Sequence, residues 1–220
     1  MMDFSNSTGS AMASTSCQLR SLPQTQQEWY PDSDGIHHIY NTPAETGKLL
    51  DAAQGKNPNH RGTCGIVSCV NILRLAGRIE TTELEVLSHA IDHHLCGNRP
   101  IAEQSGGTTL KQRQKILRAF GLETEQIPPS IDKIAECVSA GKGVIISVYA
   151  NRLWKLSCSS NLPHAVVVTS VIKDTSGKVK GFYICDSGHM TNDYAHRYTA
   201  EEIAQSLTGR DMNVTKSIIR

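Results

Sequence analysis

Apolar positions recur with a helical period through residues 64–141 and then change to near-continuous runs rich in β-branched side chains. Between 64 and 76, Ile66, Val67, Val70, Ile72, Leu73, Leu75 and Ala76 cover much of a helix surface, and Gly77 supplies a terminating residue. Such a helix is buried on most sides. A second begins at Thr82-x-x-Glu85, a capping box, and places Leu84, Leu87, Ile91 and Leu95 on one inward face before Cys96-Gly97. Gly106-Gly107 precedes Thr109-x-x-Gln112, another cap signature, opening a third helix with Leu110, Leu117 and Phe120 inward and Gly121 at its end. Residues 122–127 read as a short strand closed by Pro128-Pro129. Ser130 caps a fourth helix whose Ile131, Ile134, Ala135 and Val138 share a face, ended by Gly141.

Residues 144–150 and 165–172 are short apolar runs of the kind found in strands covered on both faces. Residues 179–185 follow Asp174-Thr175-Ser176-Gly177, a hairpin turn signal. Helices followed by antiparallel strands predict an α+β domain rather than alternating βαβ units. Residues 29–54 are mixed, with one short helix expected at 44–53. Residues 1–28 are dominated by Ser, Thr, Gln and Met and carry too little apolar surface to offset ordering entropy, so they read as a disordered or linker tail. The domain is then 29–220.

The chain has 22 Lys plus Arg against 21 Asp plus Glu, so its net charge of +1 gives no global field to hold nucleic acid or anionic lipid. No apolar run reaches the length of a membrane span, and Met1-Met2-Asp3-Phe4 does not open a signal peptide. These features predict a soluble protein. Seven cysteines form an odd set with no C-x-x-C pair, which argues against a disulfide framework and a zinc ribbon and for a reducing compartment such as the cytoplasm.

Cys64 lies in Arg61-Gly62-Thr63-Cys64-Gly65 at the start of a helix, where unpaired amides and the positive dipole end favour thiolate. Cys69 lies about 140° around that helix and is assigned to core packing, as are Cys137 and Cys185; Cys17, Cys96 and Cys158 fall in the tail or loops. Packing is equally open to Cys64 on this segment alone. A thiolate nucleophile needs a base, and the base needs orienting. His164 opens the strand after Asn161-Leu162-Pro163, and a turn at Ser176-Gly177 sets residue 164 opposite roughly residue 188 or 189. Asp186 is then close enough to accept the imidazole Nδ1 proton, making Cys64, His164 and Asp186 a candidate triad; the alternative is a His and an Asp satisfied separately at strand ends. His189 is the one competitor among the other histidines, and His89 and His93, a helical turn apart, read as surface residues rather than metal ligands.

Gly62-Thr63-Cys64-Gly65 entering a helix, Gly-Gly-Thr-Thr-Leu at 106–110, Pro163-His164-Ala165-Val166-Val167-Val168 and Phe182-Tyr183-Ile184-Cys185-Asp186-Ser187-Gly188 resemble the papain-like cysteine peptidases. Within that superfamily the likeness, over roughly residues 50–190, is greatest to bacteriocin-processing, double-glycine peptidase domains. It implies a papain-like fold, with an N-terminal helical half that carries the nucleophile at a helix N-terminus packed on a C-terminal antiparallel sheet. It also implies a Cys-His-Asp thiol protease acting on a protein or peptide, with neither metal nor cofactor. The family usually sets an oxyanion-hole Gln about six residues before the nucleophile; Pro58 stands there in this chain, and Gln54, ten residues ahead, is nominated on the assumption that 56–61 loops out, with Asn57 and Asn59 as substitutes.

Transporter-linked members continue into membrane spans that this chain lacks, and the polar tail resembles free-standing papain-like toxins and effectors of bacterial secretion systems. By that analogy the protein would be delivered into the cytosol of a target cell without a signal peptide, and a cognate immunity or inhibitor protein would be a partner. Glutamine deamidation or acyl transfer on the same triad, and a non-catalytic interaction module, remain as alternative functions.

Overall fold

The computed structural model describes residues 28–32, 35–40, 50, 51, 53–157, 161–188 and 195–219. In chain order these form β1 (Glu28–Asp32), β2 (Gly35–Tyr40), α1 (Cys64–Leu75), α2 (Glu83–Asp92), a 3₁₀ turn (Ala102–Gln104) and α3 (Leu110–Ala119). There follow β3 (Thr124–Ile127), α4 (Ile131–Ser139), β4 (Lys142–Tyr149), α5 (Ala150–Leu153), β5 (Pro163–Asp174) and β6 (Val179–Cys185). The last elements are β7 (His196–Thr199), α6 (Ala200–Ser206) and β8 (Met212–Ile218). The tail expected at 1–28, except Glu28, which opens β1, the helix expected at 44–53, and Cys17, Cys158 and His189 lie wholly or largely outside the described residues.

All strand pairings are antiparallel, and the architecture is α+β. Six strands run in the order β3, β8, β4, β5, β6, β7, and the β1–β2 hairpin pairs with the second half of β5. The sheet also draws in strands from outside the C-terminal half, because β3 and the hairpin precede it in sequence. Central position explains the apolar runs. Ile145, Ala165, Val167 and Cys185 pack on the face under α1, while Val144, Ile146, Val166, Val168 and Ile184 pack on the other, against α4 and residues of α5 and α6. Helices therefore cover both faces, as the near-continuous apolar runs require.

α1 begins and ends within a residue of its expected bounds, and ten of its twelve residues are buried. Truncating Leu73, which is fully enclosed, to Ala would cost about 2–5 kcal/mol. The capping boxes at Thr82 and Thr109 and the Ser130 cap form as the local signals require. Helix faces depart from expectation. α2 buries Val86, Leu87 and Ala90 and leaves Leu84 and Ile91 exposed, and it ends at Asp92, with His94 in the left-handed region at φ 55°. Its five apolar positions admit two overlapping faces, and packing on α1 selects the one centred on Val86 and Ala90. α3 turns Arg113, Ile116 and Leu117 inward, with Phe120 only half-buried.

Candidate active site

Three chain segments meet at one end of the sheet: the N-terminus of α1, the start of β5 and the turn after β6. The Ser68 hydroxyl donates to the Ala165 carbonyl at 3.1 Å, tying α1 to β5 one residue beyond His164. Beside it, the buried Asn71 side chain accepts from the Asp51 N–H at 2.7 Å, donates to the Asp51 carbonyl at 3.0 Å and donates to the Cys185 sulfur at 3.4 Å. One amide thus joins α1, the segment leading toward Gln54, and the residue before Asp186.

Cys64 is the first residue of α1. The imidazole of His164 hydrogen-bonds its sulfur, and the Ala165 N–H donates to it as well. The other side of the ring meets Asp186: His164 Nε2 lies 2.6 Å from Asp186 Oδ1, with the histidine nearly and the aspartate fully buried. The pairing Val167 with Cys185, continued along the hairpin, sets residue 164 opposite residue 188. In agreement, a Cβ on Gly188 would lie 2.9 Å from His164 Cε1, so the ring packs on that glycine. The nitrogen that meets the carboxylate is Nε2 and not the expected Nδ1, and the Cε1–Nε2 edge of the ring is the one that packs on Gly188.

Asp186 is surrounded by donors. Oδ1 accepts the Gly188 N–H at 2.9 Å in addition to His164, and Oδ2 accepts the Trp154 Nε1–H at 2.7 Å. The Trp154 ring also stands edge-on to the imidazole, with centroids 5.3 Å apart. Burial alone would raise the carboxyl pKa, but His164 and the other donors hold it below its ordinary value. For His164, burial disfavours the imidazolium; hydrogen bonds and charges at Asp186 and Cys64 outweigh it and push the pKa up to about 10. Burial likewise opposes ionisation of Cys64, yet His164, the Ala165 N–H and the Arg113 charge bring its pKa below the usual thiol value. Cys69, fully buried with only the Arg113 charge opposing desolvation, is pushed up to about 12. The two thiols of one helix are thereby separated in reactivity.

Gln54 stands beside the Asp186 turn. Its N–H donates to the Ser187 carbonyl at 3.1 Å, its Oε1 accepts from the Ser187 hydroxyl at 3.1 Å, and its Nε2 donates one hydrogen to the Arg61 carbonyl at 3.2 Å. The intervening residues form a tight turn in which the His60 N–H donates to the Asn57 carbonyl at 3.2 Å, with Pro58 at the corner. The Asn57 side chain accepts from the Asn59 N–H and so serves its own turn, and Asn59 is exposed.

Three residues not singled out by the sequence contribute to this site. Trp154 orients Asp186 from just beyond α5, a helix with no periodic signature. Arg113, 4% exposed, donates to Asn213 Oδ1 at 2.9 Å, Ser147 Oγ at 3.1 Å and the Thr108 carbonyl at 3.5 Å, all neutral acceptors, and no carboxylate pairs with it among the described residues. Glu83, fully buried, binds the loop just after Gln54. Its place in the first turn of α2 also suits an ordinary surface carboxylate stabilised by the helix dipole, so no sequence signal separates the two. Gly65 lets the Gly106-Gly107-Thr108 loop close on α1, since a Cβ there would lie 1.9 Å from Thr108 Oγ1. Among the described residues no group of three His, Cys, Asp or Glu is arranged to hold a metal ion, and no helix is long and apolar enough to cross a membrane.

No protein-family model matches the chain, and no curated protein matches it. Among solved structures it is similar to a protein from Bacillus anthracis described as a C39-like peptidase, with 16% identity, 79% of this chain and 97% of that chain covered, and a TM-score of 0.57. It is also similar to a double glycine motif protease from an AMS/PCAT transporter, solved with its leader peptide, at 20% identity, 76% and 97% coverage and a TM-score of 0.44. The fold is that of the C39-like peptidases, a papain-like α+β arrangement.

Proposed function

We propose that this protein is a papain-like cysteine peptidase in which Cys64 is the nucleophile, His164 the acid and base, Asp186 the group that orients His164, and Gln54 a donor to the oxyanion. The observation that carries the reading is the chain from the partly buried Cys64 through His164 to Asp186, the last two 2.6 Å apart, with the thiol pKa lowered and the imidazole raised to about 10. A lowered thiol beside a raised imidazole is a thiolate–imidazolium pair.

The thiolate adds to a peptide carbonyl, and the oxygen takes the negative charge against the Cys64 N–H and the second Nε2 hydrogen of Gln54. Collapse breaks the C–N bond while His164 Nδ1–H passes its proton to the departing amine. The thioester is then cleaved by water, with His164 now removing a proton from it. The likeness of fold to a C39-like peptidase favours protein or peptide substrates over other acyl compounds.

The test is the rate of Cys64 alkylation by iodoacetamide between pH 4 and 9, followed by intact mass. Reaction well below the ordinary thiol pKa of about 8.5, lost in His164→Ala, is expected. An ordinary thiol profile in the native protein would overturn the assignment. With protein substrates, cleavage yields fragments, whereas deamidation, the competing chemistry of the same thioester, adds about one dalton.

A further inference from the structure

Glu83 is a carboxylate of unusual placement. It is fully buried, lies at the first position of α2, and no cation pairs with it among the described residues. Its partners all belong to the segment that joins Gln54 to Cys64. Oε1 accepts the Gly55 N–H at 2.9 Å and the Thr63 hydroxyl at 2.5 Å, and Oε2 accepts the Lys56 N–H at 3.4 Å. Gly55 N–H is shared with Thr63 Oγ1 at 3.0 Å. The carboxylate therefore grips the residue after Gln54 and the residue before Cys64 together, on opposite sides of the turn at 57–60.

Thr63 precedes the helix, yet its side chain does not cap α1: the hydroxyl donates to Glu83 and its oxygen accepts the Gly55 N–H. An ordinary threonine cap would accept from an amide of the first turn. Here that role is given up, and among the described residues no side-chain cap bond is made to the first turn of α1. The Thr63 methyl meanwhile packs on Gly106, where a Cβ would lie 2.6 Å from it.

We infer that Glu83 is a positioning residue that builds the oxyanion hole: by clamping Gly55 and Lys56 to Thr63 it fixes the Gln54 amide relative to the uncapped Cys64 N–H. The inference rests on the peptidase reading of the site. A four-residue turn lies between the two donors; Ser187 and the Arg61 carbonyl hold the Gln54 side chain, and the buried carboxylate ties the backbone just after Gln54 to the residue just before Cys64. Glu83→Gln retains the shape but brings an NH₂ group against an N–H donor, so the clamp opens on one side. Thr63→Val keeps the packing on Gly106 and removes the hydroxyl.

Two reagents separate the hole from the nucleophile. Iodoacetamide alkylates a thiolate without forming an oxyanion, whereas p-nitrophenyl acetate must pass through one to acylate Cys64 and release p-nitrophenolate. In Glu83→Gln and Thr63→Val the burst rate with p-nitrophenyl acetate is expected to fall about 10²–10³-fold, the loss typical of one oxyanion donor. The pH profile of alkylation should stay as in the parent protein, and Thr63→Ser should restore the burst. A burst unchanged in both variants, or a burst and an alkylation profile lost in proportion, would overturn the role of Glu83. A parent protein with no burst and an ordinary thiol profile would overturn the peptidase reading itself. Thermal melting of each variant identifies loss of fold, in which case Thr63→Ser against Thr63→Val decides.

Discussion

Asp186→Asn isolates what the carboxylate does for the imidazole. All three groups that meet Asp186 are donors: His164 Nε2–H, the Gly188 N–H and Trp154 Nε1–H. A carboxylate accepts on both oxygens, whereas an asparagine has one oxygen and one NH₂. With the oxygen kept toward His164, the NH₂ confronts the indole N–H across 2.7 Å in a fully buried site. With the amide reversed, Nε2 must give up its proton, and the imidazolium disappears. Either way the charge-assisted bond to His164 is lost, a contribution of about 1.5–3 kcal/mol. At 1.36 kcal/mol per tenfold, the thiolate–imidazolium pair should become about ten- to a hundredfold less populated relative to thiol and neutral imidazole. The assay is iodoacetamide alkylation of Cys64 across pH: the variant should react about ten- to a hundredfold more slowly at neutral pH, with the difference closing once the solution ionises the thiol directly. Circular dichroism and thermal melting establish that the variant is folded. A folded Asp186→Asn protein that alkylates with the parent's pH profile would refute the view that Asp186 sets the protonation of His164.

Other consequences can be measured on the same protein. The sign of the pH dependence follows from the two opposed shifts: the pair exists from the lowered Cys64 pKa up to the His164 value of about 10. Acylation by a peptide, which needs the imidazolium as acid, should therefore hold across neutral pH and fall as pH approaches 10, while alkylation does not fall there; a decline of acylation near pH 7 would contradict the raised imidazole. Arg113→Met removes a cation that favours the Cys64 thiolate, so the acidic limb of the alkylation profile should move to higher pH, and an unmoved limb would show that the guanidinium charge does not reach the sulfur. Gly65→Ala should cost about 1–3 kcal/mol by overpacking, because its Cβ meets Thr108 Oγ1, and Thr108→Ala should restore most of that in a denaturant-unfolding cycle; additive losses would mean the contact is absent.

What was legible in the sequence was local. Helix starts at Thr82, Thr109 and Ser130 followed from caps, whose hydrogen bonds span three residues. The position of Cys64 at a helix N-terminus followed from the periodicity beginning there. The approach of His164 to Asp186 needed only one turn and a count along two strands, because an antiparallel register is fixed by its hairpin. Those signals act over a few residues and survive without knowledge of the rest of the chain.

The tertiary structure decided everything that depends on which surfaces meet. β8, at the end of the chain, enters between β4 and β3, a pairing across many residues that no turn announces. The burial of Val86 and Ala90 in place of Leu84 and Ile91 was set by α1, since amphipathic patterns state how much apolar surface a helix has but leave its rotation to its neighbours. Glu83 and Arg113 look in sequence like charged residues of helices that face water; their burial beside Cys64 exists only once the loops at 55–63 and 106–108 have closed on α1. The choice of Nε2 over Nδ1 is likewise tertiary, made where the Cε1–Nε2 edge of the ring packs on Gly188 beside Asp186. The sequence by itself placed a thiol at a helix N-terminus and an imidazole close to a carboxylate, because backbone periodicity and hairpin register are local; the docking of α1 on β5 that joins them belongs to the tertiary structure. The charges and donors that ionise and orient them came from distant segments, because a low-dielectric pocket is made only by packing those segments together.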